Sequence, residues 1–217
     1  SKDNFENDQF KFGFAKFISI DGVKIWAQRL SYVGELGFEL YIDLKNAKRI
    51  YELLIEKGKD FNLSNCGMHA MDIMRMESGF LHWGHDISPE ENQFQAGLSF
   101  TISSKKEVDF IGKQALKKIK QEKQKSRFTM FTLKESEPGK PLLLHDEPIY
   151  DDEKIIGRST SGNYSFNFKK NLVFGYINND FSNEELQNKN LFIEVEKKKY
   201  PIELISKPLK QTNFKNN

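Results

Sequence analysis

The sequence predicts an α+β fold in its first half and a small all-β region in its second half. Three strand-forming stretches are followed mainly by helix-forming stretches before residue 120, and from residue 126 onward short strand-forming stretches are separated by turn residues. Short strands at regular spacing are typical of an antiparallel barrel or sandwich. We therefore expect one domain over residues 1–120 and a second over residues 126–217, with the boundary near residues 120–126.

A β-hairpin is expected within residues 10–30. Apolar side chains recur there at nearly every second position, which is the period of a strand with one buried face. Asp21-Gly22 lies between the two runs and is a strong signal for a two-residue turn. A third strand is expected over residues 37–42.

Two helices are expected next. Asp43 is a suitable N-cap for a helix over about residues 45–57, and Gly58 would end it. The inward face of this helix would carry Ile50, Leu53 and Leu54. The second helix is expected over residues 67–78, with Met68, Met71 and Met74 along one side.

The remaining elements are a loop, a basic helix and a series of strands. Residues 79–95 are expected to form a long ordered loop, followed by a short strand over 98–102 and a basic amphipathic helix over 111–121. Later strands are expected at residues 127–133, 149–150, 155–157, 173–177, 191–195 and 200–204. Turns are expected at Glu137-Pro138-Gly139, Asp151-Asp152 and Ser161-Gly162-Asn163.

The bulk composition excludes several classes of protein. With 33 basic and 31 acidic residues the net charge is +2, so we expect no nucleic-acid partner. No apolar stretch approaches the ~20 residues of a membrane span, and residues 1–10 lack the apolar core of a secretory signal. The single cysteine, Cys66, cannot form an internal disulfide. We expect a cytoplasmic location, or the mitochondrial matrix in a eukaryote.

The run RLSYVGELGFELY at residues 29–41 is the most informative segment. It places Glu39 seven residues after Tyr32, with Gly34 and Gly37 between them. A carboxylate and an aromatic ring around a glycine-rich turn suggest a site for a flat, polar heterocycle. Strand periodicity alone would instead point Glu39 toward solvent.

A second run, GMHAMDIMRMESGFLHWGHD at residues 67–86, places Arg75 and Glu77 on the second helix. Arg75 could form an ion pair within the helix or bind an anionic ligand. His82, His85 and Asp86 suggest a metal site at first glance. Zinc usually needs three or four ligands with supporting partners, so we expect no metal and favour a hydrogen-bonded loop.

These runs, together with QAGLSF at residues 95–100 and FIGKQAL at residues 110–116, resemble the folate-dependent aminomethyltransferase family, the T-protein of the glycine cleavage system. The Trp83-Gly84 pair is more similar to the T-protein-like C-terminal region of sarcosine and dimethylglycine dehydrogenases. Residues 157–177 and 206–214 resemble the family's C-terminal barrel and closing segment. The resemblance implies the latter part of a T-protein-like folate-binding fold followed by a small antiparallel β-barrel.

The resemblance implies four ligand-binding positions. Glu39 matches a glutamate that binds the pterin ring, and Tyr32 matches a tyrosine that lines the folate pocket. Arg75 would contact the ligand or organise the pocket wall, and Lys215 falls near an aromatic ligand contact. Position 71, where stand-alone T-proteins usually have an arginine, is Met71, which favours the dehydrogenase group.

The implied cofactor is tetrahydrofolate, which would accept a one-carbon unit derived from an N-methyl amine. FAD would lie in a domain or subunit outside this sequence, because no dinucleotide-binding glycine motif follows a predicted strand. The resemblance further implies that the aspartate assisting the chemistry precedes this chain. Two alternatives remain open at this point: a stand-alone aminomethyltransferase and a non-catalytic folate-binding or scaffolding module.

Overall fold

The computed structural model describes residues 2–103 and 108–212. Its contacts divide the chain into two compact units, one of residues 1–80 with the C-terminal segment from Lys210, and one of residues 81–209. The expected domain boundary near residues 120–126 stays a prediction. No helix in the described ranges is long and apolar enough to cross a membrane.

The first unit contains a three-stranded antiparallel sheet. Strands β1 (Ala15–Ile20) and β2 (Val23–Gln28) form a hairpin, and β3 (Glu39–Tyr41) pairs with the other edge of β2. Asp21 and Gly22 both have positive φ angles, 50° and 75°, as a type I′ turn requires. The sequence therefore predicted the hairpin and its turn correctly.

One face of this sheet is buried and the other is open. Inward side chains of the three strands pack around Ile50 of helix α1 (Leu44–Gly58), and this core includes Phe10, Ile18, Ile25 and Ala27. Because side chains alternate along a strand, their neighbours point to the opposite face. That open face carries Phe17, Trp26, Gln28, Glu39 and Tyr41, and these five residues are called the open face below.

Helix α1 differs from the prediction at both ends. The side chain of Asp43 makes no capping hydrogen bond. Gly58 keeps a right-handed helical conformation, and the chain continues through a 3-10 turn until Asn62 turns left-handed with φ 56°. Leu54, expected inside, is 37% exposed. Gly58 instead provides space, because a Cβ there would lie 2.3 Å from Leu63.

Helix α2 (Met68–Glu77) lies within the predicted range. Its buried side chains are Arg75, Met76 and Glu77, whereas Met68 is 69% exposed. The expected methionine side is therefore not the most buried side of the helix.

The second unit contains helix α3 (Lys113–Gln121) and a closed six-stranded antiparallel barrel. The strands are β4 (Ser126–Leu133), β5 (Pro148–Asp151), β6 (Lys154–Ser165), β7 (Lys170–Asn178), β8 (Leu191–Val195) and β9 (Lys198–Ile205). They follow the order β4-β7-β6-β5-β8-β9, with a short helix α4 (Asn183–Gln187) after β7. The predicted α+β fold followed by an antiparallel barrel is confirmed.

Two local predictions in this unit are wrong. Residues 99–101 form a 3-10 turn instead of a strand. Ser161-Gly162-Asn163 lies inside β6, where the register shifts between Ser159 and Ser161. A Cβ on Gly162 would lie 2.3 Å from Leu143. The glycine therefore lets the Leu143 side chain pack against the strand, and it does not form a turn.

Candidate functional site

Glu39 and Tyr41 form a hydrogen-bonded pair on the open face. They are separated by one residue on β3, so their side chains point to the same side of the sheet. The Tyr41 hydroxyl donates to Glu39 Oε2 over 2.7 Å. Both side chains are exposed, and Tyr41 keeps 54% of its surface accessible. Glu39 therefore presents an oriented carboxylate to solvent.

The neighbouring positions add aromatic and amide groups to the open face. Gln28 lies directly across from Glu39, and Trp26 lies across from Tyr41. The rings of Trp26 and Phe17 contact each other at 4.8 Å between centroids, with an edge-to-face tilt of 66°. An aromatic surface beside a carboxylate can hold a flat ligand whose edge donates hydrogen bonds.

Hydrogen bonding to Glu39 raises the pKa of Tyr41, because ionisation of the phenol would place two negative charges side by side. The phenol is therefore a stable donor to the carboxylate. An ionised carboxylate has about four lone-pair positions. Glu39 can accept from Tyr41 and still accept two further donors from a ligand.

Tyr32 and Arg75 are linked through Phe80. The Tyr32 and Phe80 rings are nearly parallel, 15° apart, with centroids 6.4 Å apart. Arg75 Nη1 donates to the Phe80 carbonyl over 3.1 Å. Its Nε donates to Asp72 Oδ1 over 2.8 Å, and Nη2 forms an ion pair with the same oxygen at 2.7 Å. Arg75 is 1% exposed, so in this structure it organises the end of α2 and the ring beside Tyr32.

The two glycines between Tyr32 and Glu39 allow close packing of the chain against itself. Gly34 has φ 73°, and a Cβ there would lie 2.4 Å from Ser78 Oγ and 2.7 Å from Thr212. A Cβ on Gly37 would lie 2.5 Å from the Leu30 carbonyl oxygen. These glycines shape the loop before β3.

Further contacts fix the same loop. Ser78 Oγ donates to the Val33 carbonyl over 3.1 Å, and Lys210 forms an ion pair with Glu35. The loop that leads to Glu39 is therefore attached to both α2 and the C-terminal segment of this unit.

The structure thus places the predicted residues in two groups of the first unit. Its contacts connect Glu39 with Tyr41, and Tyr32 with Arg75 through Phe80. Lys215 lies outside the described residues. Tyr41 was not predicted as a site residue, although its position two residues after Glu39 was a usable signal. Gln28 and Trp26 could be found only from the register of the sheet.

The histidine-rich loop is held by its aspartate. Asp86 is 1% exposed and accepts hydrogen bonds from Thr160 Oγ1 at 2.5 Å, Ser161 Oγ at 2.8 Å and the His82 backbone N–H at 2.9 Å. The Tyr176 hydroxyl donates to the Asp86 carbonyl over 2.9 Å, and burial raises the pKa of Tyr176. Asp86 therefore fastens the loop to the barrel wall.

The two imidazoles of this loop lie close together, with the His82 and His85 ring centroids 4.6 Å apart. Within residues 2–103 and 108–212, no group of three or more His, Cys, Asp and Glu side chains could hold a metal ion.

The closed barrel and the mixed helix and strand content define a protein with the fold of a glycine cleavage aminomethyltransferase T. The model of the GCVT N-terminal domain matches residues 1–106, and the model of the glycine cleavage T-protein C-terminal barrel domain matches residues 127–210. The chain belongs to the glycine cleavage T-protein family.

Its relatives include two kinds of enzyme. Mitochondrial dimethylglycine dehydrogenase of Homo sapiens is 33% identical over 209 residues, which are 96% of this chain and 23% of the relative. An aminomethyltransferase of Alkaliphilus metalliredigens is 32% identical over 204 residues, which are 94% of this chain and 53% of the relative. The chain therefore spans about a quarter to a half of these relatives.

A solved structure supports the fold. The crystal structure of glycine cleavage system aminomethyltransferase T from Bartonella henselae matches with a TM-score of 0.75 and 23% identity. The match covers 87% of this chain and 50% of that one. At this identity the likeness concerns the fold alone.

Proposed function

We propose that this chain is the tetrahydrofolate-binding, one-carbon-transfer portion of a sarcosine or dimethylglycine dehydrogenase-type enzyme. The observation that carries the proposal is the exposed, oriented carboxylate of Glu39 beside the aromatic side chains of the open face. A pterin presents a ring N–H next to an exocyclic amine. One carboxylate can accept from both, which fixes the position and the orientation of the ring.

In this proposal the chain contributes binding and orientation. Tetrahydrofolate, when bound, supplies the nitrogen atoms that accept a one-carbon unit at the oxidation level of formaldehyde. A flavin domain or subunit outside this sequence would oxidise the N-methyl amine, and 5,10-methylenetetrahydrofolate would be the product. Holding the acceptor close to the place where the one-carbon unit is released raises its effective concentration. Tyr32 would line the pocket, and Arg75 would support its wall.

Tetrahydrofolate binding by the 217-residue chain tests the proposal directly. We expect calorimetry under anaerobic conditions to detect binding, and Glu39→Ala to weaken it by at least ~1.5 kcal/mol, or more than tenfold. Glu52→Ala is a matched control, because Glu52 is an exposed glutamate of α1 that forms a surface ion pair with Lys48. A folded parent chain that does not bind would refute the folate site.

One observation favours a second candidate. The aminomethyltransferase relatives match this chain about as well as the dehydrogenases and over a larger share of their own length. A glycine cleavage T-protein-type aminomethyltransferase would accept the one-carbon unit from an aminomethyl carrier and would need no flavin. Met71 at the usual arginine position supports the dehydrogenase candidate.

The length and flavin content of the intact gene product separate the two candidates. The dehydrogenase proposal requires an upstream reading frame that encodes a flavin domain, or a flavoprotein that copurifies with this chain. An intact product without either would favour the aminomethyltransferase.

A further inference from the structure

We infer that Tyr41 is a positioning residue that holds the Glu39 carboxylate in its ligand-binding orientation; this inference rests on the proposed function. Tyr41 acts through Glu39 and need not touch the ligand.

The geometry of the pair supports this role. Tyr41 and Glu39 lie on the same face of β3, and their hydrogen bond of 2.7 Å joins two side chains that are otherwise exposed. An exposed glutamate has three rotatable bonds and loses their freedom when it binds a ligand. A donor that restricts the carboxylate beforehand reduces this cost.

The register of the sheet fixes the place of Tyr41 on the open face. Tyr41 on β3 lies opposite Trp26 on β2, and Glu39 lies opposite Gln28. Tyrosine has only two side-chain torsions, so a ring anchored on a strand directs its hydroxyl with little loss of entropy. A tyrosine at position 41 therefore orients the Glu39 carboxylate with a smaller loss of entropy than a more flexible donor would.

The chemistry of the pair also defines what the ligand must provide. An ionised carboxylate only accepts hydrogen bonds, so the ligand must donate to Glu39, as Tyr41 does. The ligand edge that binds beside Oε2 must therefore bring its own donors, as a 2-amino-4-oxo pyrimidine ring does. Heterocycles that present only acceptors should be rejected.

The first experiment tests whether the pair exists in the ligand-free chain. Tyrosinate absorbance is followed during an alkaline titration of the parent, Tyr41→Phe and Glu39→Gln. Because Glu39 raises the pKa of Tyr41, we expect one tyrosine to ionise at lower pH in Glu39→Gln than in the parent. The Tyr41→Phe titration identifies that tyrosine. Identical titration of Tyr41 with and without the Glu39 carboxylate would overturn the inference whatever the chain binds.

The second experiment is a double-mutant cycle on tetrahydrofolate affinity. We expect Tyr41→Phe to weaken binding about 3- to 10-fold in the parent and to have no effect in the Glu39→Gln background. Tyr51→Phe is the matched control, because Tyr51 is similarly exposed and its hydroxyl bonds Asn65. Melting temperatures should agree among the variants.

The outcomes distinguish this inference from the proposed function. If the parent binds tetrahydrofolate and Tyr41→Phe binds equally well, the inference fails and the folate site stands. If Tyr41→Phe weakens binding equally in both backgrounds, Tyr41 contacts the ligand and does not act through Glu39. If the parent does not bind, the proposed function fails and the inference fails with it.

Discussion

Glu39 and Asp86 are acidic residues of the two characteristic runs, yet the structure uses their carboxylates in opposite ways. Glu39 is exposed on the open face, and one hydroxyl orients it. Asp86 is 1% exposed, and two hydroxyls and a backbone N–H already bind it. A carboxylate available to a ligand has acceptor positions left, whereas a structural carboxylate has exchanged them for protein donors.

This difference explains why a conspicuous motif can mislead. The segment HWGHD contains more potential metal ligands than the segment around Glu39. Its aspartate, however, accepts hydrogen bonds from Thr160 and Ser161 of β6 and from the His82 backbone N–H. The number of acidic and imidazole groups in a segment is therefore a weaker guide than the hydrogen bonds each one makes.

The largest expected effect is on stability, from Asp86→Ala. The substitution leaves two buried hydroxyls and a backbone N–H without their acceptor, so we expect the free energy of unfolding to fall by about 3 kcal/mol or more. Urea denaturation of both chains measures the difference. Asp86→Asn, which keeps one carbonyl oxygen, should lose less. A loss below ~1 kcal/mol for Asp86→Ala would show that the loop does not depend on this carboxylate.

The local sequence could not reveal the role of Asp86. Its partners follow it by 74 and 75 residues, and one of them belongs to the Ser161-Gly162-Asn163 segment that the sequence predicted as a turn. That prediction failed because the shift in register and the packing of Gly162 under Leu143 depend on the closed barrel. Tertiary contacts decided both features.

Elements fixed by local chemistry were predictable. The Asp21-Gly22 turn and the alternation of β1 and β2 depend on neighbouring residues, and so does the strand at residues 191–195. The roles of Glu39 and Tyr32 in ligand binding stay predictions, and motif similarity suggested them, since strand periodicity alone assigns Glu39 to solvent. The alternation of side chains along a strand also places Tyr41, two residues after Glu39, on the same face of β3.

Glu203 is a carboxylate that the protein binds in part, and we expect its effect on stability to be smaller than that of Asp86 and to depend on pH. Glu203 on β9 accepts from Lys170 Nζ at 2.8 Å and Thr132 Oγ1 at 3.1 Å, and the Lys170 hydrogen bond lowers its pKa. A folded-state pKa below the unfolded value stabilises the fold above the ordinary glutamate pKa of about 4.3. This contribution is lost as the pH falls through the lower folded pKa.

Glu203→Gln should therefore destabilise the chain at pH 7 by at most about 1 kcal/mol, because the side chain is 45% exposed and salt screens the pair. The difference between variant and parent should shrink in urea denaturations performed below the folded pKa. Glu90→Gln, at an exposed position of the same unit, is the control. A difference that stays constant with pH would show that the carboxylate charge is not responsible.

The smallest expected effect on stability, from Glu39→Ala, is the most informative for the comparison. The carboxylate is exposed, and its hydrogen-bond partner Tyr41 is exposed as well, so both groups can bond to water once separated. We expect the free energy of unfolding to change by no more than about 0.5 kcal/mol. The same substitution should weaken tetrahydrofolate binding more than tenfold. If Glu39→Ala instead destabilised the chain as strongly as Asp86→Ala, Glu39 would be a structural carboxylate, and reduced binding would report only loss of the fold.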